Sequence, residues 1–363
     1  MDFGLTEEQT MLQDSVRRFL TDRCPLDVVR AVVAGDDAAL RGLEDGLAEL
    51  GIGPVLVPES AGGLGLGLLD AALVQQTLGE AVCPAPFTGQ ALLATLVIQT
   101  AASAAQADEW LPALVRGEMR CAIAATELAG AREAAAIYAP ADCLDGKALF
   151  ALDAEHATHV LVADVARRWY LVDLAAGGVR LNRLQTIDVT RSTVEVLLDK
   201  APATPLVGAR NHHAAGQQVL SAGRVLLAAD SFGAASAMLA KAVDYAQSRE
   251  QFGRVIASFQ AVKHLCAEMA ARLEPCRALL WYAAYAGQQQ QDDAELMALL
   301  AKSHIDEVAR FVARTATEVH GGMGFTDLLG LHYWFKRIGA NRQLLGGPER
   351  LREAAAQLQG FAA

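Results

Sequence analysis

Residues 245–260 read YAQSREQFGRVIASFQ, and the reading of this stretch decides the reading of the chain. A helix-forming run ends at Arg249, the pair Phe252–Gly253 interrupts it, and a second helical run starts at Gln260. A Phe-Gly pair between two such runs is a turn, because glycine takes backbone conformations that end a helix. An arginine at a helix end is ordinarily a solvated surface residue. No single side chain therefore carries the argument, and the ordered string does.

Outward from this turn the chain is built of long Ala/Leu runs, RVLLAADSFGAASAMLAKAVDYAQSR (224–249) before it and EVARFVARTATEV (307–319) after it. They predict a helical bundle over residues 206–363. Upstream, HVLVAD (159–164), RWYLVDL (168–174) and STVEVLLD (192–199) are short runs rich in β-branched and aromatic residues, separated by Gly, Asp and Asn. These are strands, and they define a small β domain over 119–205. Residues 1–118 read as helices again. Thr6 ahead of Glu7 and Glu8 is a helix start, with Met11, Leu12, Val16, Phe19 and Leu20 on one face, and a Gly/Pro-rich turn spans 51–67. The expected fold class is α+β, mainly α.

The 363 residues are 53% apolar and only 20% charged, which fits a helix-rich globular oligomer and not a disordered chain. A net charge of −11 argues against a nucleic-acid partner and against a basic membrane anchor. The six cysteines show no CxxC and no histidine at metal-ligand spacing, so free thiols in a reducing compartment are expected and no metal site. The opening MDFGLTEEQTMLQDSVRRFL is acidic where a signal peptide is basic, and no apolar run is free of charge for the length of a membrane span. The expected compartment is the cytoplasm. The His pair in NHH (211–213) reads as part of an exposed linker, and GQQQQDD (287–293) as an inter-helix turn.

The string at 245–260 closely resembles the R-x-x-F-G…F-Q signature of the acyl-CoA dehydrogenase family. Two further segments resemble that family in the same order. ELGIGPVLVPESAGGLG (49–65) is similar to its V-P-E-x-x-G-G-x-G turn, and TEVHGGMGFTDLLGLHYWFKR (317–337) to its Q-x-H-G-G-x-G-Y-T segment and the basic helix after it. The resemblance spans the full length. It implies an N-terminal helical domain, a middle β domain and a C-terminal four-helix bundle, assembled as a dimer of dimers with FAD at a subunit interface. The implied reaction is desaturation of an acyl-CoA thioester: a carboxylate takes the α-proton and the flavin accepts the β-hydride. An electron-transfer flavoprotein is the implied acceptor.

In the family one subunit's middle domain holds the flavin ring and the neighbour's C-terminal domain holds the ADP portion. The resemblance assigns the ADP portion here to Arg249 at the pyrophosphate, Phe252 and Gln260 beside the adenosine, and Gly321 and Gly322 for close backbone approach. Glu318 stands where the family has Gln, and a carboxylate can accept but not donate a hydrogen bond. The flavin side departs from the pattern. TELAGAREA (126–134) keeps Thr126 and Glu127 but lacks the Ser-Asp that follows in the family. In LDGKALFALDAEHATHVLVAD (144–164), Gly146 and Lys147 echo the family, Phe150 is near its Trp, and Leu152 or Asp153 replaces its hydroxyl. The expectation is a chain that no longer grips a flavin ring; the alternative is drift with the ring still held by backbone groups.

Both places where the family puts its catalytic glutamate are glycine here. Alignment from FKR puts Gly346 at one of them. Gly223, immediately before Arg224 and 26 residues before Arg249, occupies the other. Loss of a general base costs roughly 10²–10⁴ in rate. Asp230 and Asp327 are the carboxylates that could stand in for it. The pattern resembles the base-lacking subunit of bacterial α2β2 acyl-CoA dehydrogenases for steroid side chains, partnered by a Glu-bearing subunit. Two other readings remain: a homotetrameric enzyme with a relocated base, and a flavin-free acyl-CoA-binding or scaffold protein.

Overall fold

The computed structural model describes residues 4–129, 135–140 and 143–361, the side chains of Thr126 and Glu127 excepted. The chain forms two compact units. One comprises Met1–Ala39, Ala72–Pro84 and Arg224–Ala363, the other Leu40–Ala71 and Ala85–Gly223. The N-terminal helical stretch is thus divided between them, because its first helices pack with the C-terminal ones.

The first unit is helical. Helix α1 (Glu7–Arg23) starts in a capping box, with the Thr6 side chain accepting from the Gln9 amide while the Gln9 side chain bonds back to Thr6. Helix α2 (Leu26–Val33) follows, and Arg30 reaches from it to the carbonyls of Asp327 and Leu328. The C-terminal helices are α7 (His212–Ser248), α8 (Gln260–Gln288), α9 (Ala294–His320), α10 (Leu331–Asn341) and α11 (Pro348–Leu358). Helix α4 (Leu68–Glu80) crosses α7 closely through two glycines. A Cβ on Gly79 would stand 2.3 Å from the Asp230 carbonyl oxygen, and one on Gly233 would stand 1.9 Å from that of Gln76. An 18-residue stretch of α7 has mean hydropathy 1.3, long and apolar enough to cross a bilayer, but 72% of it is buried inside the protein. That is the signature of a core helix.

The second unit combines helices α3 (Asp37–Glu49), from Leu40 onward, α5 (Ala94–Ala101) and α6 (Ala104–Val115) with a sheet. The strands are β1 (Cys121–Ala124), β2 (Ala136–Tyr138), β3 (Cys143–Leu152), β4 (His159–Ala163), β5 (Trp169–Asp173), β6 (Val179–Arg183), β7 (Thr193–Pro202) and β8 (Thr204–Pro205). Their order is β6-β7-β3-β1-β4-β5-β8, with β2 on β3. The pairs are antiparallel except β1–β4. Alternate residues of β3 and β7, including Leu144, Ala148, Val194, Val196 and Leu198, meet Val160, Val162 and Val172 in one core. The strand ladder breaks register between Ala148 and Ala151, where Phe150 takes φ +56°.

Candidate functional site

The 245–260 string folds as the sequence suggests and adds a detail. Arg249 caps α7, its amide bonded to the Tyr245 carbonyl at 2.8 Å, and its own carbonyl accepts from Ile256 at 2.8 Å. Between these bonds lies a minimal hairpin, β9 (Glu250–Gln251) and β10 (Arg254–Val255). Its two central residues both have positive φ, Phe252 at +56° and Gly253 at +74°. This is the turn whose twist matches a two-residue hairpin, normally built from Asn-Gly or Gly-Gly. A phenylalanine held there costs about 1–2 kcal/mol. The residue is 92% exposed, and its ring meets Phe259 edge-on at 6.1 Å. The Arg254 guanidinium lies over the Phe259 ring at 4.1 Å. Arg249 and Gln260 are exposed as well.

Helix α9 brings the second group of residues alongside. Tyr245, one turn before Arg249, stacks on His320 with ring centroids 4.6 Å apart. His320 Nδ1 is bonded to the Ala316 carbonyl at 2.7 Å, and burial holds its pKa below the ordinary imidazole value. Gly321 follows with φ +58°, bonding back to the Glu318 carbonyl. A Cβ added at Gly321 or Gly322 would meet nothing within 4 Å. The glycines therefore keep a backbone surface bare, and only Gly321 has a conformation that needs glycine. Glu318 is exposed on the last turn of α9. A cation, an exposed ring and a bare glycine backbone suit a dinucleotide's ADP portion, and Glu318 adds an acceptor where a donor would serve phosphate better.

Gly223 and Gly346, where the resemblance puts the family's glutamate, are sequence neighbours of the two partners of one hydrogen bond. Arg224, which follows Gly223, is buried, and its Nε donates to the Leu345 carbonyl at 3.1 Å. Leu345 precedes Gly346. Gly346 has φ +110°, and a Cβ there would stand 2.8 Å from Leu351 Cδ2. Gly347 and Pro348 then start α11, with Pro348 in its first turn.

Neither substitute carboxylate is poised as a base. Asp230 has no exposed surface. It accepts from Gln75 Nε2 at 2.9 Å and Asn341 Nδ2 at 2.6 Å, with Arg337 at 3.8 Å. A carboxylate so enclosed holds α4, α7 and α10 together. Next to it, Ser231 joins Asp306, which pairs with Lys302 at 2.5 Å, both without exposed surface. Burial raises the Asp306 pKa and lowers that of Lys302. Sequence reading passed over this network, although Lys302 and Asp306 at i,i+4 on α9 were a visible signal. Asp327 is the opposite case: 70% of its side chain is exposed, with Arg30 at 3.6 Å and His332 at 3.7 Å.

On the flavin side, residues 130–134 and the side chains of Thr126 and Glu127 lie outside the described residues, so TELAGAREA is not pictured. Gly146 is needed where it stands: at φ +122° a Cβ would be 2.1 Å from the Ala136 carbonyl oxygen. Lys147 pairs with Glu195 at 3.4 Å. Asp153, at φ +60°, is 3% exposed. Its Oδ2 accepts the Gly89 amide at 2.6 Å and its carbonyl accepts Gln90 Nε2 at 2.8 Å. Gly89 and Gln90 belong to a wide π-type turn over Thr88–Leu93. Asp153, one of the two residues at the hydroxyl position, is thus turned into its own unit.

The remaining expectations concern metals and thiols. Among the described residues no His/Cys/Asp/Glu group could hold a metal ion. The cysteines are free, and burial pushes Cys276 up to about 11. The His pair is not in a linker: His212 opens α7 and Asn211 Oδ1 accepts the Ala214 amide at 3.1 Å, an end cap that the linker reading missed. Residues 289–293 do join α8 to α9, with Tyr282 donating to Asp293 at 2.9 Å.

Residues 6–118 match the acyl-CoA dehydrogenase N-terminal domain and residues 213–358 the acyl-CoA dehydrogenase C-terminal domain. A variant of the Tcur3481–Tcur3483 steroid ACAD is 31% identical, with TM-score 0.87 and 98% of each chain covered. The chain belongs to the acyl-CoA dehydrogenase family, whose fold it has and whose cofactor is FAD. It is also similar to acyl-CoA dehydrogenase IpdE2 of Mycobacterium tuberculosis, 28% identical over 359 residues and 95% of each chain. The ChsE4–ChsE5 complex of M. tuberculosis shares the fold at TM-score 0.88 and 24% identity, over 100% of each chain.

Proposed function

We propose that this chain is the base-lacking subunit of a heteromeric, FAD-dependent acyl-CoA dehydrogenase. It contributes the ADP portion of the cofactor site to a Glu-bearing partner subunit. One observation carries the reading. Both family base positions are glycine, and the backbone at Gly346 is at φ +110° with Leu351 pressed against the missing Cβ. The loop is shaped for glycine, in keeping with the absence of a carboxylate there.

Arg249, Phe252, Gln260, Gly321 and Gly322 would hold the ADP portion, with Glu318 at its margin. FAD, where bound, supplies the hydride acceptor for Cα–Cβ oxidation. What this chain's residues do is bind and orient. The inward-turned Asp153 supports the view that the chain does not grip a flavin ring itself. A bulky acyl-CoA such as a steroid side-chain thioester is the substrate class, in keeping with the steroid ACAD that is 31% identical. The acceptor is an electron-transfer flavoprotein and the compartment the cytoplasm.

The test is the flavin-to-polypeptide ratio of the complex isolated from its native host, with each co-purifying chain identified. About one FAD per two unlike chains supports the reading, and one FAD per copy of this chain alone overturns it. Arg249→Ala should lower the FAD content of the complex; unchanged content would favour a flavin-free scaffold.

A further inference from the structure

Two lysines of the helical unit have amines held below the ordinary lysine value, chiefly by burial. They differ in what surrounds them. Lys302 is sealed, with no exposed surface and Asp306 at 2.5 Å. Lys241, on α7, is half-buried and lines a surface cavity of about 310 Å³ together with Arg17, Cys24, Thr77, Glu80 and Trp334. That volume admits a short acyl thioester end.

The charges around Lys241 leave its amine without a carboxylate. Glu80 is engaged elsewhere, by Arg17 Nε at 3.1 Å and Gln76 Nε2 at 3.0 Å. Asp244, one turn along α7, favours the charged amine but does not offset burial. Among the described residues no carboxylate lies within 4.0 Å of Nζ. Its neighbour is the Trp334 ring, 4.7 Å from Nζ to centroid, and Trp334 is fixed by its Nε1–H donating to the Glu80 carbonyl at 2.9 Å. Such a ring contact stabilises the cation less than a buried ion pair does.

We infer that Lys241 is a site of N-acylation by acyl-CoA thioesters, with the cavity at Trp334 admitting the thioester to the amine. The neutral Nζ attacks the thioester carbonyl carbon. An N–C bond forms, the C–S bond breaks, and CoA leaves as the thiol carrying the proton that nitrogen loses. Nothing is oxidised or reduced. The product amide carries no charge, so the contact with Trp334 that ties α7 to α10 and α4 is lost. The inference needs only the family's class of substrate and does not depend on the heteromer.

The experiment incubates the full-length chain with acetyl-CoA and follows acetylation of each lysine over time by peptide mass spectrometry. Lys241 should react faster than the exposed Lys263 and Lys336, because more of its amine is neutral. Lys302 should stay unmodified. In Lys241→Arg the fast phase should vanish while Lys263 and Lys336 react as before. Acetylation of Lys241 at or below the rate of Lys263 and Lys336 would overturn the inference.

Discussion

Arg224 Nε donates to the Leu345 carbonyl at 3.1 Å, and so ties the residue after Gly223 to the residue before Gly346. Gly223 and Gly346, the two positions to which the resemblance assigns the family's glutamate, are 123 residues apart in sequence and neighbour the two partners of this one buried bond. Both positions carry glycine.

Returning a glutamate to the second position should fail. Gly346→Glu places an L side chain at φ +110° and a Cβ 2.8 Å from Leu351. Strain of about 1–3 kcal/mol is expected, read as a fall in melting temperature. Acyl-CoA-dependent dye reduction by the chain alone should not appear; its appearance would show that the loop was ready for the base.

Asp230→Ala should destabilise severely without touching chemistry. It leaves Arg337 buried beside the lost carboxylate and removes one acceptor from each of Gln75 and Asn341, a loss of about 3–5 kcal/mol. Chemical denaturation measures the loss. Turnover per folded complex should be unchanged, and selective loss of turnover with stability intact would make Asp230 a base.

Asp327→Ala is the mild counterpart. Its partners lie at 3.6 and 3.7 Å with the carboxylate largely in solvent, so a change within about 1 kcal/mol is expected. Activity of the complex should persist. Its abolition would revive the relocated base.

Asp153 should prove structural. Asp153→Ala strips the buried Gly89 amide of its acceptor and puts alanine at φ +60°, a cost of about 1–3 kcal/mol. Asp153→Asn should cost less, because asparagine keeps an acceptor oxygen and tolerates the left-handed conformation. Denaturation midpoints of the two variants give the ordering.

His320 predicts a pH dependence. Its folded pKa lies below the ordinary value, mainly through burial, so below about pH 6.5 the unfolded chain binds the proton more readily. Stability from this group is complete above that pH and is lost as pH falls through the folded value. The melting temperature should drop between pH 7.5 and 5.5, and His320→Gln should flatten that drop.

The sequence by itself determined the architecture, because it rests on local signals. Periodicity marks helices in α7 and α9, β-branched runs mark β4, β5 and β7, and Thr6 ahead of Glu7 and Glu8 marks the start of α1. The ordered motifs at 49–65, 245–260 and 317–337 placed the chain in its family, and each contains a glycine at positive φ, such as Gly62, Gly253 and Gly321. Only the tertiary structure decided what the carboxylates do. Asp230 and Asp327 look alike in sequence, yet one is enclosed by side chains from α4 and α10 and the other stands in solvent. It also decided that Asp153 turns inward to Gly89, 64 residues away, and that Lys241 faces Trp334. Burial and hydrogen-bond partners come from segments far apart in the chain, so no local pattern announces them.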